Sequence, residues 1–231
     1  LSEASHDAAK VVEGEGVALD LHVLFLDDIT VGGSWESTRH YLDRLAPRLA
    51  AIGLRLNFAK CEIICESGLD AATWFPEIPA ANVHSPRNWE LLGAPMGNPD
   101  CCTAVAETAI DRASKRTQLL QSLADPQIAS SLLRWCAGAC LAQHIARSCG
   151  PIVLPALARL DADTMRTWEC VNFPLAPSER QLASLPTSAG GLGLQMLAPF
   201  AAVAMIASER CARDKLSALL SQRAHDNLAP D

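Results

Sequence analysis

Asp27 and Asp28 are adjacent carboxylates set between two strand-forming runs, 22–26 and Ile29-Thr30-Val31. The β-branched and aromatic composition of both runs predicts a hairpin with the two aspartates at its turn. Adjacent carboxylates repel, which destabilises a turn unless a cation lies between them. A hard divalent ion such as Mg²⁺ prefers oxygen donors of this kind. The plainer alternative is turn chemistry, since Asp is a favoured turn residue in its own right.

Other clusters carry less. Cys136, Cys140 and His144 fall at i, i+4 and i+8 of an expected helix, but zinc needs a fourth ligand and tetrahedral geometry. Buried thiols are the simpler outcome. Cys61 and Cys65 lack the two-residue spacing of a zinc knuckle, and Cys101-Cys102 suggests no site. Gly190 to Gly193 is no phosphate cradle, because no Lys-Ser/Thr pair follows the glycines. Arg112, Lys115 and Arg116 form a basic face on an expected helix, with Glu107 and Asp111 close by in sequence. A solvated surface explains such a face as readily as a ligand does.

The elements that would position these residues change character along the chain. Residues 7–13 read as a short helix stopped by Gly14, and 17–26 lead into the hairpin. Trp35, Tyr41, Leu42, Leu45, Leu49 and Ile52 recur at helical spacing up to Gly53, with Pro47 expected to kink or break that helix near Ala46. Alternation over 54–58, followed by Lys60-Cys61-Glu62-Ile63-Ile64, reads as a strand, a tight turn and a strand. Residues 67–88 read as an irregular excursion. Residues 89–97 read as a small hairpin with Gly93 and Pro95 shaping its turn.

Helices are expected thereafter: 103–124 with Pro99 near its start, then one from the Asp125-Pro126 cap to about 148, closed by Gly150-Pro151. Further helices are expected over 155–172, over a short stretch capped by Ser178, and as a final pair within 200–228. The fold class is therefore α+β, with a mixed domain over 1–98 and a helical domain over 99–231.

Composition sets bounds on this reading. The 231 residues suffice for one or two packed domains. With 49% hydrophobic and 19% charged residues the chain is globular rather than disordered. No apolar run is long enough to span a bilayer, and no secretory signal is visible at residue 1. Nine cysteines, an odd number, fit a reduced intracellular setting, cytoplasm or nucleus, better than a disulfide framework. The missing initial Met suggests part of a longer polypeptide. A net charge of −7 repels phosphate at long range, though a local basic face can override it.

The order of these elements is more specific than any one of them. Phe25-Leu26-Asp27-Asp28 is followed by an amphipathic helix, then Gly53 to Lys60, then the Leu91 to Gly97 hairpin, and then the helical domain. This succession resembles the reverse transcriptases of non-LTR retrotransposons: the third palm motif, the next palm motif and the primer-grip hairpin, followed by a thumb. Gly190-Gly191-Leu192-Gly193-Leu194 is similar to a late element of such reading frames. The resemblance runs from about Val17 to Ser208.

It implies the C-terminal half of a polymerase palm followed by a thumb-like helical domain. It also implies RNA-templated DNA synthesis from a DNA primer and deoxynucleoside triphosphates by two-metal phosphoryl transfer, with Mg²⁺ or Mn²⁺. In that frame Asp27 is the main metal ligand and Asp28 supports it. Lys60 assists pyrophosphate departure, Gly93 and Met96 hold the primer, and Arg112, Lys115 and Arg116 follow the template–primer backbone.

The family places another catalytic Asp on an earlier palm strand. Only 26 residues precede Asp27, and neither Asp7 nor Asp20 lies in a matching block. The chain alone is therefore expected to be inactive. The alternative is a non-catalytic retroelement remnant or a helical partner-binding module.

Overall fold

The computed structural model describes residues 2–14, 16 and 19–226. It is α+β, and its chain divides into two compact units, Leu1–Pro86 and Arg87–Asp231. The expected boundary at 98/99 followed the change in composition. The structure divides earlier because the 88–97 hairpin packs on helices of the second unit.

The first unit begins with α1 (Ser2–Gly14), which starts before the expected residue 7. Strands β1 (Leu21–Phe25) and β2 (Asp28–Gly32) form an antiparallel hairpin, and Val17 lies outside the described residues. Helix α2 (Trp35–Ala51) starts where the Ser34 hydroxyl accepts the Ser37 N–H at 3.0 Å. It runs unbroken through Pro47 and ends in a turn with Gly53 at φ 77°, so the expected break near Ala46 is absent. Pro47 lies four residues before the helix end, and its missing N–H removes a single bond of the ladder, the one to the Asp43 carbonyl.

One face of the hairpin joins this helix pair. Ile29 and Val31 pack on a core of Ala8, Ala9, Tyr41, Leu45 and Leu49. Inside that core, Ser5 Oγ lies 2.5 Å from Tyr41 Oη, and His22 Nε2 lies 2.9 Å from Ser5 Oγ and 3.1 Å from Tyr41 Oη. The three side chains tie α1, β1 and α2 together.

The expected strand–turn–strand over 54–64 is not what forms. Residues 54–57 form no strand, Phe58–Lys60 is a single 3-10 turn, and only Ile63–Ile64 (β3) is a strand. It pairs in parallel with β4 (Val83–His84). Between them the expected irregular segment holds α3 (Gly68–Trp74) and a 3-10 turn at Ala80–Asn82. Alternation over four residues supplied a strand pattern, but no neighbouring strand offers 54–57 a ladder.

The second unit opens with the antiparallel hairpin β5 (Asn88–Leu91) and β6 (Ala94–Gly97). Its turn is Leu92-Gly93, while Pro95 lies within β6 opposite Glu90 rather than in the turn. Asn98 caps α4 (Pro99–Leu119) through a 2.8 Å bond from the Cys101 N–H. Asp125 accepts from Gln127 and Ile128 to start α5 (Pro126–Trp135).

The long helix expected to reach about 148 is interrupted. Gly138 adopts φ 63°, and its N–H is taken by the buried Thr117 hydroxyl at 3.2 Å. A 3-10 turn at Gly138–Leu141 follows, and then α6 (Gln143–Cys149). A side chain at Gly138 would press on Thr164, so a neighbouring segment also approaches closely at the break.

Helix α7 (Leu154–Val171) matches expectation. α8 (Pro177–Ser184) is capped at Ala176, whose N–H is accepted by the Glu179 carboxylate at 2.7 Å, and not by Ser178. The expected final pair of helices is one, α9 (Ala201–Asp226), and its expected end at 228 lies outside the described residues. Ile110, Ala146, Val153, Leu157 and Leu160 lie at the centre of the larger core.

Candidate functional site

The carboxylate pair stands at a two-residue turn. Phe25 pairs with Asp28, so Leu26 and Asp27 form the turn and Asp28 opens β2. Leu26 has φ 55°, while the φ of Asp27 is not positive. That sign pattern belongs to a type II′ turn, whose first position favours glycine. A leucine there is strained, and its side chain is 83% exposed, so no burial compensates it. Both carboxylates are exposed, and among the described residues neither forms a hydrogen bond or ion pair.

Strand alternation sorts the hairpin into two faces. His22, Leu24, Ile29 and Val31 share the face toward the helices. Leu21, Val23 and Phe25 share the other face with Asp28, and they are 47%, 48% and 54% exposed. Strand β1 thus carries apolar side chains on both faces, the pattern of a strand covered from both sides. Among the described residues it pairs only with β2. This is a sheet with one packed face, one uncovered apolar face and an open edge.

No group of three His, Cys, Asp or Glu side chains suited to a metal occurs among the described residues. Mg²⁺ is nevertheless commonly held by one or two carboxylates, with water and substrate phosphates completing six oxygens. The Asp27–Asp28 donor set fits such a partial site and is too small to hold two ions. Lys60 ends its 3-10 turn exposed to solvent and bonds neither carboxylate.

In the second unit the Leu92-Gly93 turn has both φ values positive, 51° and 76°, as in a type I′ turn. Met96 stands opposite Trp89 and is 40% exposed, so Gly93 and Met96 do share one hairpin. Arg112, Lys115 and Arg116 are all exposed and, at i, i+3 and i+4, share one face of α4. Glu107 and Asp111, the acids closest in sequence, are both engaged by Arg159, at 2.6 and 2.7 Å. The three bases form no ion pair among the described residues.

Charge is divided unevenly between the units. Residues 1–86 hold thirteen acidic and six basic residues, whereas residues 87–231 hold thirteen of each. The whole net charge of −7 thus belongs to the unit with the carboxylate hairpin. In the neutral unit many acids are internally occupied. Asp163 and Glu169 pair with Arg166 and Arg180, and Asp161 accepts the N–H groups of Leu197 and Ala198. Burial pushes the Asp161 carboxyl up, against the lowering effect of those two hydrogen bonds.

The helical break separates the expected cysteine–histidine set. Cys136 ends α5, Cys140 lies in the 3-10 turn, and His144 is on α6, so the three do not share one helix face. His144 instead neighbours the β5–β6 turn. A Cβ placed on Gly93 would lie 4.0 Å from His144 Cδ2. Sequence spacing could not reveal this pair, because the residues are 51 positions apart on elements whose packing depends on the break at Gly138.

Comparison with protein-family models, with curated proteins and with solved structures gave no match. No described helix is long and apolar enough to cross a membrane.

Proposed function

We propose that this chain is the C-terminal palm and thumb portion of an RNA-directed DNA polymerase of the non-LTR retrotransposon type. The carrying observation is the β1–β2 hairpin: a strained turn presenting two exposed, unpaired carboxylates at the edge of a sheet with an uncovered apolar face. Strained backbone concentrates at functional sites, which supports a working rather than a decorative role for this turn. Asp27 and Asp28 are the residues that would hold Mg²⁺, which when bound neutralises charge on the transferring phosphate.

The chain's own residues do the rest by positioning. Gly93 and Met96 seat the primer strand on the β5–β6 hairpin, and Arg112, Lys115 and Arg116 neutralise backbone phosphates. Lys60 would approach a triphosphate rather than the carboxylates. The uncovered face of Leu21, Val23 and Phe25 is where a further palm segment carrying the remaining carboxylate would pack. Without that segment the chain does not extend a primer.

The test is primer extension on an RNA template by a polypeptide joining this chain to such a segment. Mg²⁺-dependent extension that disappears in Asp27→Ala is expected. Full activity in Asp27→Ala would overturn the assignment and leave a non-catalytic partner-binding module.

A further inference from the structure

The glycine-rich loop at 190–193 has no role in the chemistry proposed above, yet its path is tightly fixed. The Gly191 N–H donates to the Pro186 carbonyl at 3.1 Å and the Gly193 N–H to that of Leu185 at 2.9 Å, so the loop lies back along the end of α8. A Cβ at Gly191 would fall on the Leu182 and Leu185 carbonyl oxygens, and glycine permits that approach. The loop thereby walls one side of a cavity of about 220 Å³. Trp168 of α7 and Ala183 of α8, both buried, line it together with Phe173, Leu182 and Leu192, which are 60%, 57% and 39% exposed.

Two features of this cavity point to a cation. Trp168 and Phe173 meet edge to face, with ring centroids 5.1 Å apart and planes at 80°, and make an aromatic corner. Glu179 is the one charged residue among those lining the cavity. Its Oε2 accepts the Ala176 N–H at 2.7 Å, and among the described residues its carboxylate forms no ion pair. The neighbouring Arg180 is turned to Glu169, with bonds of 2.7 and 3.0 Å, and leaves the Glu179 charge uncompensated.

We propose that this cavity receives a lysine side chain from a partner polypeptide. A volume of about 220 Å³ suits one long side chain and falls below the roughly 300–1,000 Å³ of sites for whole small molecules. Lysine lays its methylenes along apolar walls and keeps its ammonium at the wet rim, where Glu179 supplies the counter-charge. Aromatic rings attract the same ammonium through their quadrupoles. A free alkylamine would leave much of Phe173, Leu182 and Leu192 in water. Apolar residues beside the lysine of a peptide cover that surface, so the occupant is a protein segment. None of these residues enters the polymerase reading, and the two stand or fall separately.

The test titrates the full chain, carrying fluorotryptophan, with the peptide acetyl-Ala-Leu-Lys-Leu-Ala-amide and follows the fluorine resonance of Trp168. A saturable shift is expected, with affinity about 3-fold or more above that for the same peptide carrying norleucine in place of lysine. Glu179→Gln should remove that difference while keeping an oxygen for the Ala176 N–H, so the start of α8 and the melting temperature are preserved. Phe173→Leu should weaken the lysine peptide about 2- to 5-fold and the norleucine peptide less.

Equal affinity for the two peptides would overturn the cation site, as would a lysine preference that survives Glu179→Gln. An unmoved Trp168 resonance at about 10 mM peptide, ten times a millimolar dissociation constant, would overturn the cavity as a binding site. Binding of n-butylammonium without binding of the peptide would overturn a protein segment as the occupant.

Discussion

Phe25 and Asp28 face each other across the β1–β2 turn, and Leu26 bridges them at φ 55° with its side chain in solvent. Everything proposed for the first unit follows from how that turn is made. The hairpin could have used Asn-Gly or Gly-X at no strain. It uses a leucine followed by two acids.

The strain is measurable. A non-glycine residue at positive φ costs roughly 1–2 kcal/mol, and glycine's greater freedom in the unfolded chain returns about 0.5–1 of that. Leu26→Gly should therefore stabilise the first unit by up to about 1.5 kcal/mol in chemical denaturation followed by the resolved fluorine resonances of fluorotryptophan at Trp35 and Trp74. A loss of stability would mean that the Leu26 side chain is held by contacts its exposure denies.

The second hairpin depends on glycine at its base. Gly97 has φ 153°, and a Cβ there would fall on the Arg87 carbonyl oxygen, inside any tolerable contact. That carbonyl also accepts the Asn98 N–H at 3.0 Å, just before the α4 cap. Gly97→Ala should destabilise the second unit by about 2 kcal/mol or more and speed amide exchange across 88–97. Unchanged exchange there would show that the strand pair tolerates the displacement.

How much of this was legible beforehand depends on range. The turn at 26–28, the cap at Asp125 and the Gly53 stop follow from local chemistry, and the residues responsible lie within four positions of one another. The interruption after Trp135 does not, because it is fixed by the hydroxyl of Thr117 and by Thr164, neither adjacent in sequence to Gly138. The failed strand at 54–57 lacked a partner, which a pattern of alternation cannot supply. Of the site, the carboxylate pair and the basic face of α4 were readable as residue types. The freedom of that basic face from ion pairs was not, since it turns on Arg159 reaching from α7 to Glu107 and Asp111.

The Ser5–His22–Tyr41 cluster predicts an alkaline limit. Burial pushes the Tyr41 phenol above its usual 10.0, outweighing the lowering effect of the Ser5 hydrogen bond. The folded chain then retains a proton that the unfolded chain releases, so this contribution is complete below pH 10 and declines as pH rises through the folded value. Burial also pushes the Cys149 thiol up, to about 12, with the same sign but in the other unit. Resolved fluorine resonances of fluorotryptophan at Trp35 and Trp74 isolate the first unit from Trp89, Trp135 and Trp168 of the second, and Tyr41→Phe should flatten its decline above pH 10 while costing about 1 kcal/mol at neutral pH through the lost hydrogen bonds. An unchanged slope in Tyr41→Phe would assign the alkaline transition to other groups.

The carboxylate pair makes the sharpest prediction, because repulsion and metal binding give opposite signs for one substitution. Without divalent ions, Asp27→Asn removes one of two adjacent charges that no cation offsets, and the first unit should melt slightly higher, by an amount that shrinks as salt is added. With Mg²⁺ or Mn²⁺ at ten times the dissociation constant, the parent chain should gain about 1.4 kcal/mol from ligand linkage, and Asp27→Asn should gain little. The order of stability would then invert between chelated and metal-loaded samples. Asp28→Asn should lose only part of the gain if Asp28 supports a site centred on Asp27. The same order in both conditions would reduce the pair to turn chemistry, and the strained leucine beside it would need another explanation.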